Sequence, residues 1–479
     1  MVNLLAGIGV AASALDAFTQ VLQVVQNNVA NASTPGYAAQ TQTLDALPSD
    51  VAMGDTGGVK AGIVESSRNE YAEQSVRQQN ALLGEASQNV SSLTSLQTIF
   101  DISGNSGIPY ALNNLLQSFS AWGQSPTDTN ARQLVIDRAA ELASAFNNAA
   151  SSLGQTAQDA EQQIGATVNQ INDLVGQLQQ ANVRIMAGDR NDSSLDAQVH
   201  SLLEQLSQYA DVSASQQNNG SWTVIMGQTQ LLVGNQQFQI STDMEQPTDP
   251  PPVNSVAPAL AVVRAADGTD ITSSVTTGQL AALLNFRNSV LPSYMGDAYQ
   301  AGDLNDMAQQ FAQRVNGILE GGTQDDGSPG ADLFTYDQSN PTNAAQSLAV
   351  NPAITADQMA AIDPGPPEVS NGVPLALAAL ATPQSSQDEL DGQSYSAYYG
   401  SMAANVGNLL SDATDEQQVQ QSAVAQAQNL RQQTSGVDLD QEAITLVQFQ
   451  RAYDANSRMI SVLNEITADA VNIINVATG

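Results

Sequence analysis

The sequence contains no cysteine, and this absence excludes three kinds of site. Disulfide bonds, thiol catalysis and thiolate metal centres all need a cysteine sulfur. Histidine is almost as scarce, because His200 is the only one in 479 residues. A lone histidine without convergent partners makes neither a metal site nor a catalytic triad. We therefore expect His200 to be an ordinary surface or bundle residue, and we expect no cofactor and no metal.

Basic residues are also few. The chain has 13 Lys and Arg against 48 Asp and Glu, which gives a formal net charge of −35 at pH 7. Binding to nucleic acid needs a basic footprint that displaces counterions, and an anionic membrane surface attracts the same kind of patch. Neither partner is expected. The acidic residues form no block, so we predict a solvated acidic surface whose self-repulsion is screened by salt.

Long apolar runs are absent as well. No stretch of 18 or more apolar residues occurs, which predicts no transmembrane helix and no membrane insertion. The segment from Leu4 to Leu15 has the composition of a signal-peptide core. No Lys or Arg precedes Lys60, however, and the apolar periodicity continues past Leu15. We therefore expect export, where it occurs, to proceed without a cleaved signal peptide.

Motifs that carry catalysis are missing too. Asp189, Asn191 and Ser193 alternate as calcium ligands do, but Ser194 stands where a calcium loop needs glycine. This segment predicts a polar turn that caps a helix. No phosphate-binding glycine loop, nucleophile elbow or metalloprotease motif occurs. The sequence thus predicts a protein that is not an enzyme.

What the chain does have is helical periodicity at its N-terminus. Apolar residues recur there at steps of four and three, which is an a/d heptad pattern. This N-terminal seam consists of Leu4, Ile8, Ala11, Leu15, Phe18, Leu22, Val25 and Val29. The helix is predicted to end near Asn31. A type II turn follows at 34–37, with Pro35 at its second position and Gly36 where a positive φ is required. Residues 38–75 are polar and are predicted to form an extended connector.

A second seam occupies the C-terminal segment. Gly436 interrupts the preceding pattern, and Asp438 or Asp440 can cap a new helix. The C-terminal seam consists of Phe449, Ala452, Asn456, Met459, Leu463, Ile466, Ala470, Ile473 and Ala477. Asn456 is its one polar member, and such a residue can fix the register of a coiled coil. Because a helix gains most of its stability by packing an apolar face, we predict that the two seams pair with each other.

Helical patterns also dominate the middle of the chain. The longest runs from about 130 to 187 and predicts one long helix or a helix pair. Short β-like runs at 221–226 and 229–233, with Gly227 and Gln228 between them, predict a hairpin. Residues 320–393 hold many prolines and glycines and are predicted to be long loops. A last bundle helix is predicted over about 394–434.

These patterns predict a mainly α fold with a small β-rich insert. It is an elongated helical bundle flanked by paired N- and C-terminal coiled-coil helices. The predicted divisions are an N-terminal helix and connector at 1–75, a long bundle at 76–209, the β-rich insert at 210–278, returning helices and loops at 279–434, and a C-terminal helix at 435–479.

Two strings, one near each end, resemble a known family. The string from Asn27 to Tyr37 closely resembles the N-terminal signature of bacterial flagellar axial proteins, the family of rod, hook and hook-associated subunits. The segments 437–443 and 449–460 resemble its C-terminal signature. Rod and hook members are β-rich between their ends, so the helical middle of this chain resembles a hook-associated subunit of the hook–filament junction. Another axial subunit of hook or rod type is the alternative, followed by a non-flagellar coiled-coil surface protein.

The resemblance implies a structural role and a set of partners. It implies secretion through the flagellar type III pathway without signal cleavage. It also implies assembly of copies into a ring between hook protein and the second hook-associated protein, and an export chaperone that binds the C-terminal helix. The residues expected to serve self-assembly and partner contacts are Leu4, Ile8, Leu15, Phe18, Leu22, Val25, Asn28, Asn31, Pro35, Gly36, Tyr37, Phe449, Tyr453, Asn456, Met459, Leu463, Ile466 and Ile473.

Overall fold

The computed structural model describes residues 2–50, 55–100, 105–190, 192–248 and 256–477. The helices are α1 (Val2–Asn31), α2 (Glu70–Gln97), α3 (Gly107–Gln124), α4 (Thr129–Ala187), α5 (Ser193–Tyr209), α6 (Gln279–Asn285), α7 (Leu291–Met295), α8 (Asp303–Glu320), α9 (Ala344–Ser347), α10 (Gly372–Ala379), α11 (Tyr395–Ser435) and α12 (Leu439–Ala477). A π-helical segment, Phe286–Val290, joins α6 to α7. Short 3₁₀ turns lie at Thr272–Ser274, Pro341–Asn343, Ala356–Gln358 and Ser386–Asp388.

The strands are short and form small antiparallel sheets. They are β1 (Gln40–Asp50), β2 (Asp55–Ser66), β3 (Val212–Gln216), β4 (Trp222–Met226), β5 (Thr229–Val233), β6 (Gln236–Gln237), β7 (Ser241–Glu245), β8 (Leu260–Arg264), β9 (Phe334–Thr335) and β10 (Ala349–Val350). β1 pairs with β2, β7 with β8 and β9 with β10, while the other four form one sheet in the order β3-β4-β5-β6. The mainly α fold with small sheets confirms the fold class predicted from the sequence.

Helix α4 is the longest helix of the bundle. It is a single helix of 59 residues, which decides between the one long helix and the helix pair that the sequence left open. Asp128 caps it, because its side chain accepts a hydrogen bond from the Asn130 backbone at 2.8 Å. Gly188 ends it with φ of 130°. Asp192 then caps α5 by accepting from Ser194 N at 2.9 Å, so the turn has the capping role predicted for it.

The prediction of an extended connector at 38–75 was wrong. Its first part forms the β1–β2 hairpin, and α2 already begins at Glu70. Glycines such as Gly57 and Gly58 suggested an irregular link, but both take positive φ values near the end of the hairpin. The hairpin lies against α1, the preceding helix, so its packing partner lies outside the segment whose pattern was considered.

Buried apolar side chains form two separate clusters. Core A lies between α3, the first half of α4, α8, α10 and the start of α11, and it includes Phe119, Trp122, Phe146, Phe311 and Tyr399. Core B lies between the second half of α4, α5 and the β3–β6 sheet, and it includes Ile171, Leu178, Leu203, Val224 and Leu232. Strands β3–β8 thus lie within the span predicted for the β-rich insert and cover one side of α4 and α5.

The segment at 320–393 carries more structure than the predicted long loops. It contains α9, α10 and the β9–β10 pair, which fold against core A through residues such as Phe334 and Leu377. α11 then returns along the bundle beside α2.

Two half-buried acids on α8 make the stability of this region depend on pH. Burial raises the pKa of both Asp303 and Asp306, and the nearby Asp391 charge raises both further. A carboxyl whose pKa is higher in the folded state binds protons more tightly when folded. These two groups therefore add stability below the ordinary carboxyl pKa and lose it as pH rises through their raised values.

We expect Asp306→Asn to raise the melting temperature at pH 7 by about 1 °C, because it removes a charge that burial disfavours. The gain should shrink as pH falls toward the ordinary carboxyl pKa of about 4, because protonation then removes the charge from the native aspartate. Thermal unfolding followed by circular dichroism at both pH values measures this difference. Asp415→Asn is the matched control, since it removes the same charge from an exposed site on α11. Equal rises in melting temperature for both variants would mean that the change in net charge alone is responsible for the stabilisation.

Candidate functional site

The two terminal helices pack against each other, and the contact involves residues of both seams. The rings of Phe18 and Phe449 lie 5.6 Å apart. A Cβ placed on Gly7 would lie 3.5 Å from Leu463 Cδ1, so a side chain at position 7 would crowd this contact. α1 also lies against the hairpin, which gives it two packing partners.

The most buried stripe of α1 lies to one side of the predicted seam. Leu4, Ile8, Leu15, Phe18 and Leu22 are only half-buried. Val29 is 47% exposed. The fully buried positions are Ala11, Ala14, Ala17, Val21, Val24, Val25 and Asn28. The shift arises because α1 packs between α12 and the hairpin, so the positions between the two partners are the most buried.

Helix α12 uses only part of its predicted seam in the pair. Phe449, Asn456 and Leu463 are half-buried, whereas Met459 and Ile466 are 53% and 46% exposed. Ile473 and Tyr453 are exposed as well. The exposed apolar side chains lie along one side of the helix, which we call the outer face of α12: Ile444, Val447, Met459, Val462, Ile466 and Ile473. This face has no partner among the described residues.

Asn28 links the helix pair to the hairpin. Its Nδ2 donates to Glu442 Oε1 on α12 at 2.7 Å and to the Gln40 carbonyl at 2.8 Å. Its Oδ1 accepts from Gln40 N at 3.0 Å and from the Tyr37 hydroxyl at 2.9 Å. Four hydrogen bonds satisfy a side chain that is 1% exposed, so Asn28 fixes the relative position of three elements.

Asn456 does not have the cross-helix role suggested by its place in the seam. Its side chain donates to the Ala452 carbonyl of its own helix at 3.0 Å. A bond within one helix cannot set the register between two helices. The polar contact between the terminal helices is made by Asn28 and Glu442 instead.

The turn after α1 packs directly on α5. Tyr37 N donates to the Thr34 carbonyl at 3.1 Å, and Gly36 has φ of 74°, as the predicted type II turn requires. A Cβ on Gly36 would lie 2.4 Å from the Ala197 carbonyl oxygen, which leaves no room for any other residue. Pro35 is exposed, and Asn31 donates to the Asn27 carbonyl at the end of α1.

Arg68 ties this turn to the bundle, and sequence reasoning missed it. Its Nη1 donates to Glu73 Oε1 on α2 at 2.6 Å. Its Nη2 donates to Asp196 Oδ2 on α5 at 2.6 Å and to the Gly36 carbonyl at 2.7 Å. The scarcity of basic residues was the one signal that singles out such an arginine, because few cations are available to neutralise buried acids.

The network continues to the last bundle helix. Glu73 Oε2 accepts from Arg431 Nη1 at 3.4 Å, and the same nitrogen donates to Glu204 Oε2 at 2.6 Å. At the end of α11, the Ser435 carbonyl accepts from Ala39 N at 2.9 Å, and the Ser435 hydroxyl accepts from Asn69 N at 3.0 Å. The start of α2, the hairpin and the end of α11 thus meet at one place.

Burial shapes the titration of the groups around Asn28. It raises the pKa of the Tyr37 hydroxyl, and the Glu442 charge raises it further. Burial also raises the pKa of Glu442, while the hydrogen bond from Asn28 acts in the opposite direction. Tyr37 therefore keeps the proton that it donates to Asn28.

His200 lies beside this network as a packed, neutral residue. It is buried, and its ring meets that of Trp222 edge-on with 5.2 Å between centroids. Burial lowers its pKa to about 2, and the charges of Arg68, Arg77 and Arg431 act in the same direction. This agrees with the ordinary bundle residue that we expected. Within the described ranges, no three His, Asp or Glu side chains cluster as metal ligands.

Helix α1 has the length and composition of a membrane span, although it contains no unbroken run of 18 apolar residues. Its Leu4–Asn31 segment contains an 18-residue window with mean hydropathy of 1.5. Alanines and valines give this value although polar residues interrupt the run. In this structure its most buried stripe packs in the helix pair and against the hairpin.

Comparison with known protein families shows which family the chain belongs to. The family model described as "Flagellar hook-associated protein FlgK helical domain" matches residues 93–334, just over half of the chain. The chain belongs to this family. The prediction of a hook-associated flagellar axial protein is thereby confirmed. Models described as "Flagella basal body rod protein" and "Flagellar basal body rod FlgEFG protein C-terminal" match residues 8–37 and 428–473.

Individual relatives match over almost their whole length. The flagellar hook-associated protein 1 of Bacillus subtilis (strain 168) is 25% identical, over 98% of this chain and 99% of the relative. That of Escherichia coli (strain K12) is 23% identical, over 97% and 98%. The solved structure of the flagellar hook junction protein FlgK from Burkholderia pseudomallei has the same fold. It superposes with a TM-score of 0.64 at 16% identity, over 76% of this chain and 100% of that one.

Proposed function

We propose that this FlgK-family chain is a structural subunit of the bacterial flagellum at the junction between hook and filament. The observation that carries the proposal is the match, over nearly full length, to relatives named hook-associated protein 1. The helical-domain match at 93–334 favours this role over a hook or rod subunit, because the rod-type models match only the two ends. The role is mechanical rather than catalytic.

The terminal helix pair is the part that joins neighbouring subunits. The outer face of α12 exposes Met459, Ile466 and Ile473, and a large exposed apolar patch on a soluble chain marks an interaction surface. Copies of the chain in a ring, hook protein on one side and the second hook-associated protein on the other, are the partners that cover it. Before assembly, an export chaperone covers the same face by binding α12 in a groove, as other proteins bind amphipathic helices.

Export without signal cleavage fits the part that α1 plays in the folded chain. One stripe of α1, between Ala11 and Asn28, is buried against α12 and the hairpin, so removal of the first turns of α1 would shorten the helix pair. The net charge of −35 opposes crowding of copies, and we expect assembly to be easier at higher ionic strength.

The outer face of α12 provides the test. We expect Ile466→Asp to abolish swimming in cells that lack the native gene, with hooks present and filament protein lost to the medium. A charge on this face opposes its burial between subunits, while it leaves the subunit itself folded. Electron microscopy of the cells, detection of secreted filament protein and circular dichroism of the purified variant measure the three parts of the result.

Val419→Asp is the matched control, since Val419 is an exposed valine on α11, outside the terminal pair. It should swim normally. Normal swimming of the Ile466→Asp strain would contradict assembly through this face. Cells without hooks in the deletion strain would contradict the junction assignment and indicate a hook or rod role.

A further inference from the structure

A group of polar side chains lies at the level where core A gives way to core B. Gln88, which is 8% exposed, donates to Ser92 Oγ at 3.0 Å and to Gln163 Oε1 at 3.2 Å. Its own Oε1 accepts from Gln279 Nε2 at 3.0 Å. We call these four residues, which come from α2, α4 and α6, the polar layer. Hydrogen bonds between neutral amides can be replaced by hydrogen bonds to water at little net cost in free energy, whereas exposure of apolar area to water is costly.

Packing at this level is also incomplete. A cleft of about 160 Å³ opens beside Gln88 and is bordered by Thr156, Asp159 and Phe286. The inward-facing residues of α4 here are Ala157 and Ala160, which present only methyl groups. Side chains that border this solvent-open cleft have no packing partner on one side, so we expect this level to resist deformation less than either core.

Two glycines of α4 flank the polar layer. They are Gly154 and Gly165, and a Cβ on either one would meet no atom within 4 Å. No neighbour therefore requires a glycine at these positions. Glycine in a helix interior loosens the backbone relative to alanine. Gly154 lies among the last core A residues of α4, and Gly165 lies next to Ile164, the first core B residue of this helix.

A second connection between the cores is irregular at the same level. Leu283 belongs to core B and Leu291 to core A, and the π-helical segment Phe286–Val290 lies between them. Such π segments are places where helices bend. From within it, Arg287 donates to Glu161 Oε1 on α4 at 2.7 Å through Nη2 and at 2.9 Å through Nε.

We propose that the polar layer is a bending joint, at which the core A half and the core B half of the bundle tilt relative to each other. The Arg287–Glu161 ion pair is the pivot, because it holds the π segment to α4 while the amide contacts around it rearrange. Gly154 and Gly165 are the points at which α4 bends. The joint would give each subunit an elasticity of its own, in addition to any sliding between subunits.

The absence of cysteine makes a direct distance measurement possible. Spin labels on introduced cysteines at Ser144 and Gln177, both exposed on α4, span the joint at about 50 Å in a straight helix. Double electron–electron resonance on the soluble full chain gives the distribution of this distance. We expect a broad distribution in the parent and a narrower one in the Gly154→Ala/Gly165→Ala variant. Gly176→Ala is the matched control on the same helix, within core B, and should leave the width unchanged.

Hydrogen exchange gives an independent readout on the same variants. Each Gly→Ala change at the joint should slow exchange of the amides between 155 and 165 by about two- to fivefold. A parent distribution as narrow as that of the double variant would overturn the proposal, and so would equal narrowing by Gly176→Ala. Both measurements use the unassembled chain, so their failure would leave the junction assignment unaffected.

Discussion

Replacement of Arg68 by methionine should lower the free energy of unfolding by about 3–5 kcal/mol, because it leaves the buried Glu73 with only the longer contact of 3.4 Å to Arg431. The Arg68 and Glu73 side chains are 6% and 4% exposed, so water cannot take the place of the guanidinium. The variant also leaves the Gly36 carbonyl without its donor. Methionine preserves most of the apolar stem of arginine, so the loss reports mainly on the charge and the hydrogen bonds.

Urea unfolding followed by tryptophan fluorescence measures this loss, since Trp222 lies against His200 beside the network. Arg138→Met is the matched control, because Arg138 pairs with Glu141 on an exposed helix surface and such pairs contribute about 0–1 kcal/mol. The Arg68→Met/Glu73→Leu double variant should recover part of the stability by removing the stranded acid. A loss below about 1 kcal/mol for Arg68→Met would contradict a central role of this arginine.

Replacement of Gly36 by alanine should detach the terminal helices from the bundle. Alanine at φ of 74° costs about 1–2 kcal/mol, and the contact of 2.4 Å with the Ala197 carbonyl adds an overpacking cost of about 1–3 kcal/mol. The strain falls on the turn, so the bundle should remain folded while α1 and α12 become accessible. Limited proteolysis with mass spectrometry would then show rapid trimming of both ends to a stable core.

Gly234→Ala separates the two causes. Gly234 has φ of 59°, but a Cβ there would meet nothing within 4 Å, so this control carries the strain without the clash. It should leave the trimming pattern unchanged. Trimming of the Gly36→Ala variant at the parent rate would mean that the turn tolerates a shift away from α5.

Features with a local cause could be predicted from the sequence. The helical run of α4, the turn at Gly36 and the cap at Asp192 each depend on residues within a few positions of one another. Of the two candidates for the cap of α12, Asp438 and Asp440, the structure selects Asp438, whose Oδ1 accepts from Gln441 N at 3.1 Å. Periodicity and turn chemistry suffice for such features.

The burial of the terminal helices could not be predicted in the same way. A heptad pattern identifies apolar positions but does not say which of two apolar sides meets the partner within the same chain. Met459 and Ile466 fit the predicted seam as well as Leu463 does, yet they are exposed in the subunit. When a helix has more than one apolar side, its heptad pattern alone does not identify the side that is buried.

The Arg68 network was beyond sequence reasoning for a different reason. Arg68 and Asp196 are 128 positions apart, and Glu73 and Arg431 are 358 apart. No local pattern predicts such a pairing, and in the sequence these residues cannot be distinguished from ordinary surface charges. The hairpin was missed for a related reason, since its packing partner α1 lies on the other side of the turn.

The meeting of Ala39, Asn69 and Ser435 at one place has a consequence for how such chains diversify. The region from 69 to 435 begins and ends at neighbouring points, so it is attached to the terminal helices and hairpin as a domain inserted into a loop would be. Such an insertion can be enlarged, reduced or exchanged while the host segments stay as they are. This arrangement accounts for rod-type models that match the ends of the chain and a hook-associated model that matches its middle.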